Sequence, residues 1–140
     1  MGDELPEYEV PIEEGKIGEF ALAAQSKLAD YRGPDAITPP TFLITAAATV
    51  PDECRAQHGF DRKRLLHGEQ EFIFHGPPPR AGQRLRARER VAERYEKPGS
   101  RGGTMRFAVI VTDFRDEHGN LVAEARRTLI ERAAKTEAKS

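Results

Sequence analysis

Two histidines and two carboxylates crowd into one stretch, His67-Gly68-Glu69-Gln70-Glu71-Phe72-Ile73-Phe74-His75. Imidazole beside carboxylate is the chemistry of proton transfer and of metal binding. In an extended chain the side chains alternate, so His67, Glu69, Glu71, Ile73 and His75 share one face. Leu66, Gly68, Gln70, Phe72 and Phe74 share the other. The same extension puts His67 and His75 about 26 Å apart at ~3.3 Å per residue. They cannot act together on one atom or share one metal. The stretch reads as a strand, ended by Gly76-Pro77-Pro78-Pro79, where the ladder loses its N–H donors. We expect no metal site and no catalytic residue in it.

Other chemical candidates are weaker. Cys54 is the only cysteine. It follows Asp52 and Glu53, whose charges raise a thiol pKa, so it is a poor nucleophile. One cysteine also excludes an internal disulfide and a multi-cysteine zinc site. Arg84, Arg86, Arg88, Arg90 and Arg94 make a basic strand face that must meet water or an acidic partner. No aromatic residue interleaves with Arg84 to Arg90, and Glu89 and Glu93 lie on the same strand, so no nucleic-acid partner is expected.

The elements that position these residues follow from the pattern. Ile17, Phe20, Ala21, Ala24 and Leu28 recur at helical spacing, which predicts a helix over 13–28. Asp30 to Pro40 is a loop. Thr41 to Val50, TFLITAAATV, has no polar face and predicts a buried helix of about ten residues, closed by Pro51. Asp52 to Arg64 is irregular. The second half predicts strands over 66–75, 84–95, 104–114 and 121–132, of which Thr104 to Phe114 is apolar on both faces, as a central strand is. Asp116 to Asn120, DEHGN, is turn chemistry. Hairpin-type joins between the four strands predict an antiparallel meander.

The 140 residues are 38% hydrophobic and 32% charged, with a formal net charge of -1. That length fits one domain over 8–132, with 1–7 and 133–140 as flexible tails. The near-neutral charge gives no general pull toward nucleic acid or membrane. No apolar run reaches the ~20 residues of a membrane span, and the acidic start is unlike a signal peptide, so a cytoplasmic location is expected. An antiparallel sheet with one apolar face needs a cover, and the Thr41–Val50 helix supplies it. This is an α+β hot-dog fold: a curved antiparallel sheet wrapped around a buried central helix.

Four blocks now show a family resemblance: GKIGEFALAA; Pro39-Pro40-Thr41-Phe42; LHGEQEFIFHGPPPRAGQRL; and DEHGNLVAEARRTLIER. Together they resemble the N-terminal hot-dog domain of MaoC-type dehydratases and hydratases. They also resemble the non-catalytic subunit of heterodimeric (3R)-hydroxyacyl-ACP dehydratases. The resemblance implies binding of an acyl thioester, carried by CoA or acyl carrier protein, with no cofactor. It implies a homodimer or a heterodimer with a catalytic hot-dog subunit. It places Pro40, Thr41, Phe42, Gln70 and Phe72 along the substrate tunnel. The family's catalytic pair is an Asp with a His five residues later, between the first helix and the central one. Here that segment, QSKLADYRGPDAITPP, contains no histidine. No catalytic residue is therefore carried over. A self-sufficient hydratase, a thioesterase using Asp52 or Glu53, and an acyl-CoA-sensing protein are the alternative functions.

Overall fold

The computed structural model describes residues 4–134. Five strands form one antiparallel sheet: β1 (Tyr8–Pro11), β2 (Leu65–Phe74), β3 (Arg84–Pro98), β4 (Thr104–Arg115) and β5 (Leu121–Glu131). Their order across the sheet is β1-β3-β4-β5-β2. Only β3, β4 and β5 form the expected meander. β2 is not beside β3 but pairs with β5 at the far edge, Phe72 opposite Ala125 and Phe74 opposite Ala123. The physical reason lies in the connection after Phe74. Three prolines in a row cannot form a tight hairpin, and the chain instead crosses the end of the sheet. It is pinned there where Thr38 donates to the Pro79 carbonyl through both its N–H and its hydroxyl, each at 2.9 Å.

The helix α1 (Glu14–Ala23) is shorter than its apolar stripe suggests. Gln25 adopts φ 60°, a left-handed conformation that ends the helix, and Ser26 N–H then bonds back to the Ala21 carbonyl at 2.8 Å. Ile17 and Ala21 are buried and Phe20 partly so, whereas Ala24 and Leu28 lie beyond the helix and are exposed.

The expected central helix is a 3₁₀ segment, Phe42–Ala48. Thr45 and Thr49 hydroxyls bond to the carbonyls of Phe42 and Ala46, three residues back, at 2.8 and 3.3 Å. Such side-chain bonds compete with α-helical ones, and the β-branched Ile44, Thr45 and Thr49 disfavour the α-helix further. The segment is also less buried than a helix without a polar face should be. Phe42, Leu43 and Ala46 face inward, while Ile44 is 49% exposed.

The hot-dog arrangement nevertheless holds. One apolar cluster joins Ile17, Phe42, Leu43, Ala46 and Val50 to Tyr8, Val10, Leu85, Ala87, Phe114 and Ala123 of the sheet. Phe20 and Phe42 meet edge to face at 5.5 Å. β4 is the spine of the sheet, with Phe107 to Thr112 and Phe114 all buried. The irregular stretch after Val50 forms two short 3₁₀ turns, Asp52–Cys54 and Arg62–Arg64. It adds Ala56 and Phe60 to a second cluster with Ala108, Ile110 and Leu129. Residues 4–7, grouped with the flexible tails on the sequence, lie against β3. Arg88 Nε donates to the Leu5 carbonyl at 2.9 Å. Residues 135–140 of the C-terminal tail lie outside the described residues.

Candidate functional site

The sequence-predicted tunnel residues divide into two groups. Gln70 and Phe72 of β2 come together with Leu43, Ile44, Ala46 and Ala47 around a cavity of about 20 Å³. Pro40 and Thr41 do not enter it; both are exposed. Phe42 is buried against Phe20, in the core and away from the cavity lining. Gln70 is itself exposed on one side, and its amide donates to the Arg126 carbonyl at 3.3 Å.

The rest of the lining mixes polar and apolar side chains. It consists of Tyr8 of β1, Glu89 of β3, Thr112 and Phe114 of β4, and Ala125 and Arg127 of β5. Glu89 is 1% exposed and Tyr8 6%. One Glu89 oxygen, Oε1, accepts from the Ala56 N–H at 2.8 Å and lies 3.7 Å from the Arg127 guanidinium. The other, Oε2, is buried without a hydrogen-bond partner among the described residues, as is the Tyr8 hydroxyl. Burial pushes the Tyr8 phenol well above its usual pKa, and the Glu89 carboxylate adds to the shift. Tyr8 is therefore a neutral hydroxyl, able both to donate and to accept.

Glu89 was not picked out on the sequence, although a signal was present. It has the same parity along β3 as Leu85 and Ala87, which are both buried. Alternation alone turns it inward. The surrounding arginines masked this, since Arg84, Arg86, Arg88 and Arg90 make the strand look like one charged run. Their own face behaves as expected: Arg84 pairs with Glu9, Arg88 with Glu4 at 3.3 Å and Arg90 with Asp113 at 3.8 Å. Arg94 donates to the carbonyls of His58 and Gln57 at 2.9 and 3.1 Å. Arg84, Arg88 and Arg90 thus meet surface carboxylates, whereas Arg94, past the bulge between Val91 and Glu93, lies on the other face of the strand.

The other chemical candidates are placed elsewhere. His75 Nε2 lies 2.7 Å from Glu124 Oε2 across the β2–β5 pair, and Glu71 pairs with Arg126 at 3.8 Å. Both are cross-strand contacts on the surface of the sheet. Asp52 and Glu53 are exposed in their 3₁₀ turn and do not reach the cavity. Cys54 is buried, and burial, with Glu53 and Glu89 behind it, pushes its thiol pKa up. Among the described residues no three His, Cys, Asp or Glu side chains converge to hold a metal ion, and no helix is long and apolar enough to cross a membrane.

Residues 1–125 match the family described as FAS1-like, dehydratase domain region. The chain belongs to that family. A UPF0336 protein of Saccharopolyspora erythraea is 33% identical over 138 residues, covering 91% of this chain and 83% of its own. A UPF0336 protein of Streptomyces griseus subsp. griseus is 35% identical over 140 residues, covering 92% and 88%. Among solved structures, a chain of the C-terminally truncated HadBC (3R-hydroxyacyl-ACP dehydratase) complex of Mycobacterium tuberculosis superposes with TM-score 0.69 at 20% identity, covering 93% of this chain and 99% of that one. A chain of the ChsH1–ChsH2 complex, also of Mycobacterium tuberculosis, gives 0.68 at 12% identity, covering 94% and 86%. The R-hydratase PhaJ1 of Pseudomonas aeruginosa gives 0.61 at 15%, covering 96% and 84%. These likenesses establish the hot-dog fold of the dehydratase family.

Proposed function

We propose that this chain is the acyl-thioester-binding, non-catalytic half of a two-chain 3-hydroxyacyl dehydratase or enoyl hydratase. One observation carries the reading: a dehydratase-family hot-dog interior in which no histidine lines the cavity and its one carboxylate is Glu89. The segment between α1 and Phe42, where the resemblance places an Asp/His pair, has no histidine. General acid–base chemistry on a Cα–Cβ bond needs such a pair within hydrogen-bond reach of the substrate. A second copy of this chain would lack the pair as well. The catalytic groups must come from a different hot-dog chain, and the solved complexes HadBC and ChsH1–ChsH2 support an assembly of two unlike chains.

In this reading Gln70 and Phe72 line the acyl path, Phe42 anchors the segment that roofs it, and the exposed Pro40 and Thr41 face the thioester or the partner. The carrier is CoA or acyl carrier protein. The exposed positions of Asp52 and Glu53 give a thioesterase reading no support. Co-expression with a hot-dog chain that carries the Asp/His pair, followed by native mass spectrometry, tests the proposal. A complex of the two unlike chains retaining an acyl thioester is the expected result. Two chains that stay apart, each without acyl ligand, contradict it.

A further inference from the structure

Protein interiors seldom leave a polar atom without a partner, because burial takes away its bonds to solvent and folding must replace them. Beneath the 3₁₀ segment the sheet breaks this rule twice. Glu89 of β3 and Tyr8 of β1 are nearly inaccessible. Each keeps one buried oxygen, Glu89 Oε2 and the Tyr8 hydroxyl, with no hydrogen-bond partner among the described residues, so the two do not bond to each other either. Strand register explains the gap. Tyr8 opposes Ala87 in the last pair of the β1–β3 ladder, and Glu89 is the next β3 residue on the same face. The two side chains are diagonal neighbours, which stand farther apart than a directly opposed pair. Both line the cavity of about 20 Å³, together with Thr112 of β4 and Arg127 of β5.

We propose that this cavity is a binding site for a single water molecule, which donates to Glu89 Oε2 and joins it to the Tyr8 hydroxyl. The site goes beyond the acyl-binding reading and does not rest on it. Size, charge and polarity each select water. The volume holds one water and is too small for a ligand of several heavy atoms. The Glu89 carboxylate repels an anion, and the Arg127 guanidinium, 3.7 Å from Glu89 Oε1, repels a cation. Cavities that stay dry are apolar, and this one is not. A carboxylate oxygen only accepts, so Oε2 requires a donor. Water donates to it and accepts from the neutral Tyr8 phenol at once, and the Thr112 side chain lies in the same lining. No channel is needed: such a water is enclosed as the chain folds and exchanges when the structure opens locally. The bridge would carry the β1–β3 junction one step past the end of its backbone ladder.

A crystal structure of the full chain, refined far enough to show ordered water, tests the site. It should hold one density peak within about 2.5–3.2 Å of both Glu89 Oε2 and the Tyr8 hydroxyl. Magnetic relaxation dispersion of the water oxygen nucleus counts long-lived internal waters and tests the same site in solution. The paired change Glu89→Leu with Arg127→Leu replaces the polar lining by apolar groups and should lower that count by one. Tyr8→Phe keeps the ring and removes one partner; it should shorten the residence time of the water severalfold. Three results overturn the water site: a cavity without density, a Tyr8 hydroxyl bonded directly to Glu89 in the crystal, or the same dispersion in the natural chain and the variants.

Discussion

The molecule buries two glutamates on its sheet, Glu89 on β3 and Glu131 on β5, and treats them differently. Glu131 is saturated. Its Oε2 accepts from the Asp61 N–H at 2.6 Å, and its Oε1 accepts from Arg106 Nε at 2.8 Å and Nη2 at 2.5 Å. Arg64 stands 3.6 Å away. Every partner belongs to the scaffold, and together they tie the loop before β2 to the end of the sheet. Glu89 has one backbone donor and one distant guanidinium, and its second oxygen is left over. Equal burial with unequal satisfaction separates a carboxylate tied into the fold on both oxygens from one tied in on a single oxygen. A fully met buried ion pair resists disturbance, whereas a half-met one is a stability cost that function must explain.

Breaking the saturated site should have the largest effect. Glu131→Ala leaves the Asp61 N–H without an acceptor and removes the hydrogen bonds of the half-exposed Arg106, and about 3 kcal/mol of stability should be lost. Urea titration reads this as a lower midpoint. Little change in midpoint would erase the distinction drawn between the two glutamates. The paired Glu89→Leu and Arg127→Leu replacement should act in the opposite direction. Exchanging a poorly satisfied buried pair for apolar side chains should leave stability unchanged or raise it by about 1–4 kcal/mol. A loss comparable to that of Glu131→Ala would make Glu89 structural too.

Acid sharpens the same contrast. The Asp61 N–H first, then the Arg106 guanidinium, hold the Glu131 carboxyl below the usual carboxylate range, against burial that pushes it up. A pKa lowered in the folded state gives stability that is complete above the unfolded-state value of about 4.3 and is lost as pH falls through the folded one. The stability gap between the natural chain and Glu131→Gln should therefore shrink below about pH 4. A gap that stays constant down to acid unfolding would mean that Glu131 carries no linked proton. The smallest effect belongs to the half-exposed cross-strand pair: His75→Ala should cost at most about 1 kcal/mol, because exposed ion pairs contribute little.

Much of this fold is legible in the sequence, and the reasons are local. β4 could be read because an uninterrupted apolar run between turn signals has few other places to go. The faces of β3 could be read from parity, and parity would also have revealed Glu89. The partner of β2 could not be read, because an alternating strand specifies a buried face but not a neighbour. Nor could the 3₁₀ character of Phe42–Ala48, which depends on hydroxyls of Thr45 and Thr49 choosing carbonyls three residues back. Of the tunnel residues, Gln70 and Phe72 reach the cavity because strand alternation fixes their side. Pro40, Thr41 and Phe42 depend on how an irregular segment turns, which no periodic pattern records.

The central claim is that this dehydratase-family chain binds an acyl thioester yet performs no chemistry by itself. Hydration of crotonyl-CoA, followed spectrophotometrically with the purified chain alone and then with an Asp/His-bearing hot-dog partner, tests it most directly. The account predicts a rate indistinguishable from the uncatalysed background for the chain alone and turnover only when the partner is added. Robust hydration by the purified chain alone would contradict it.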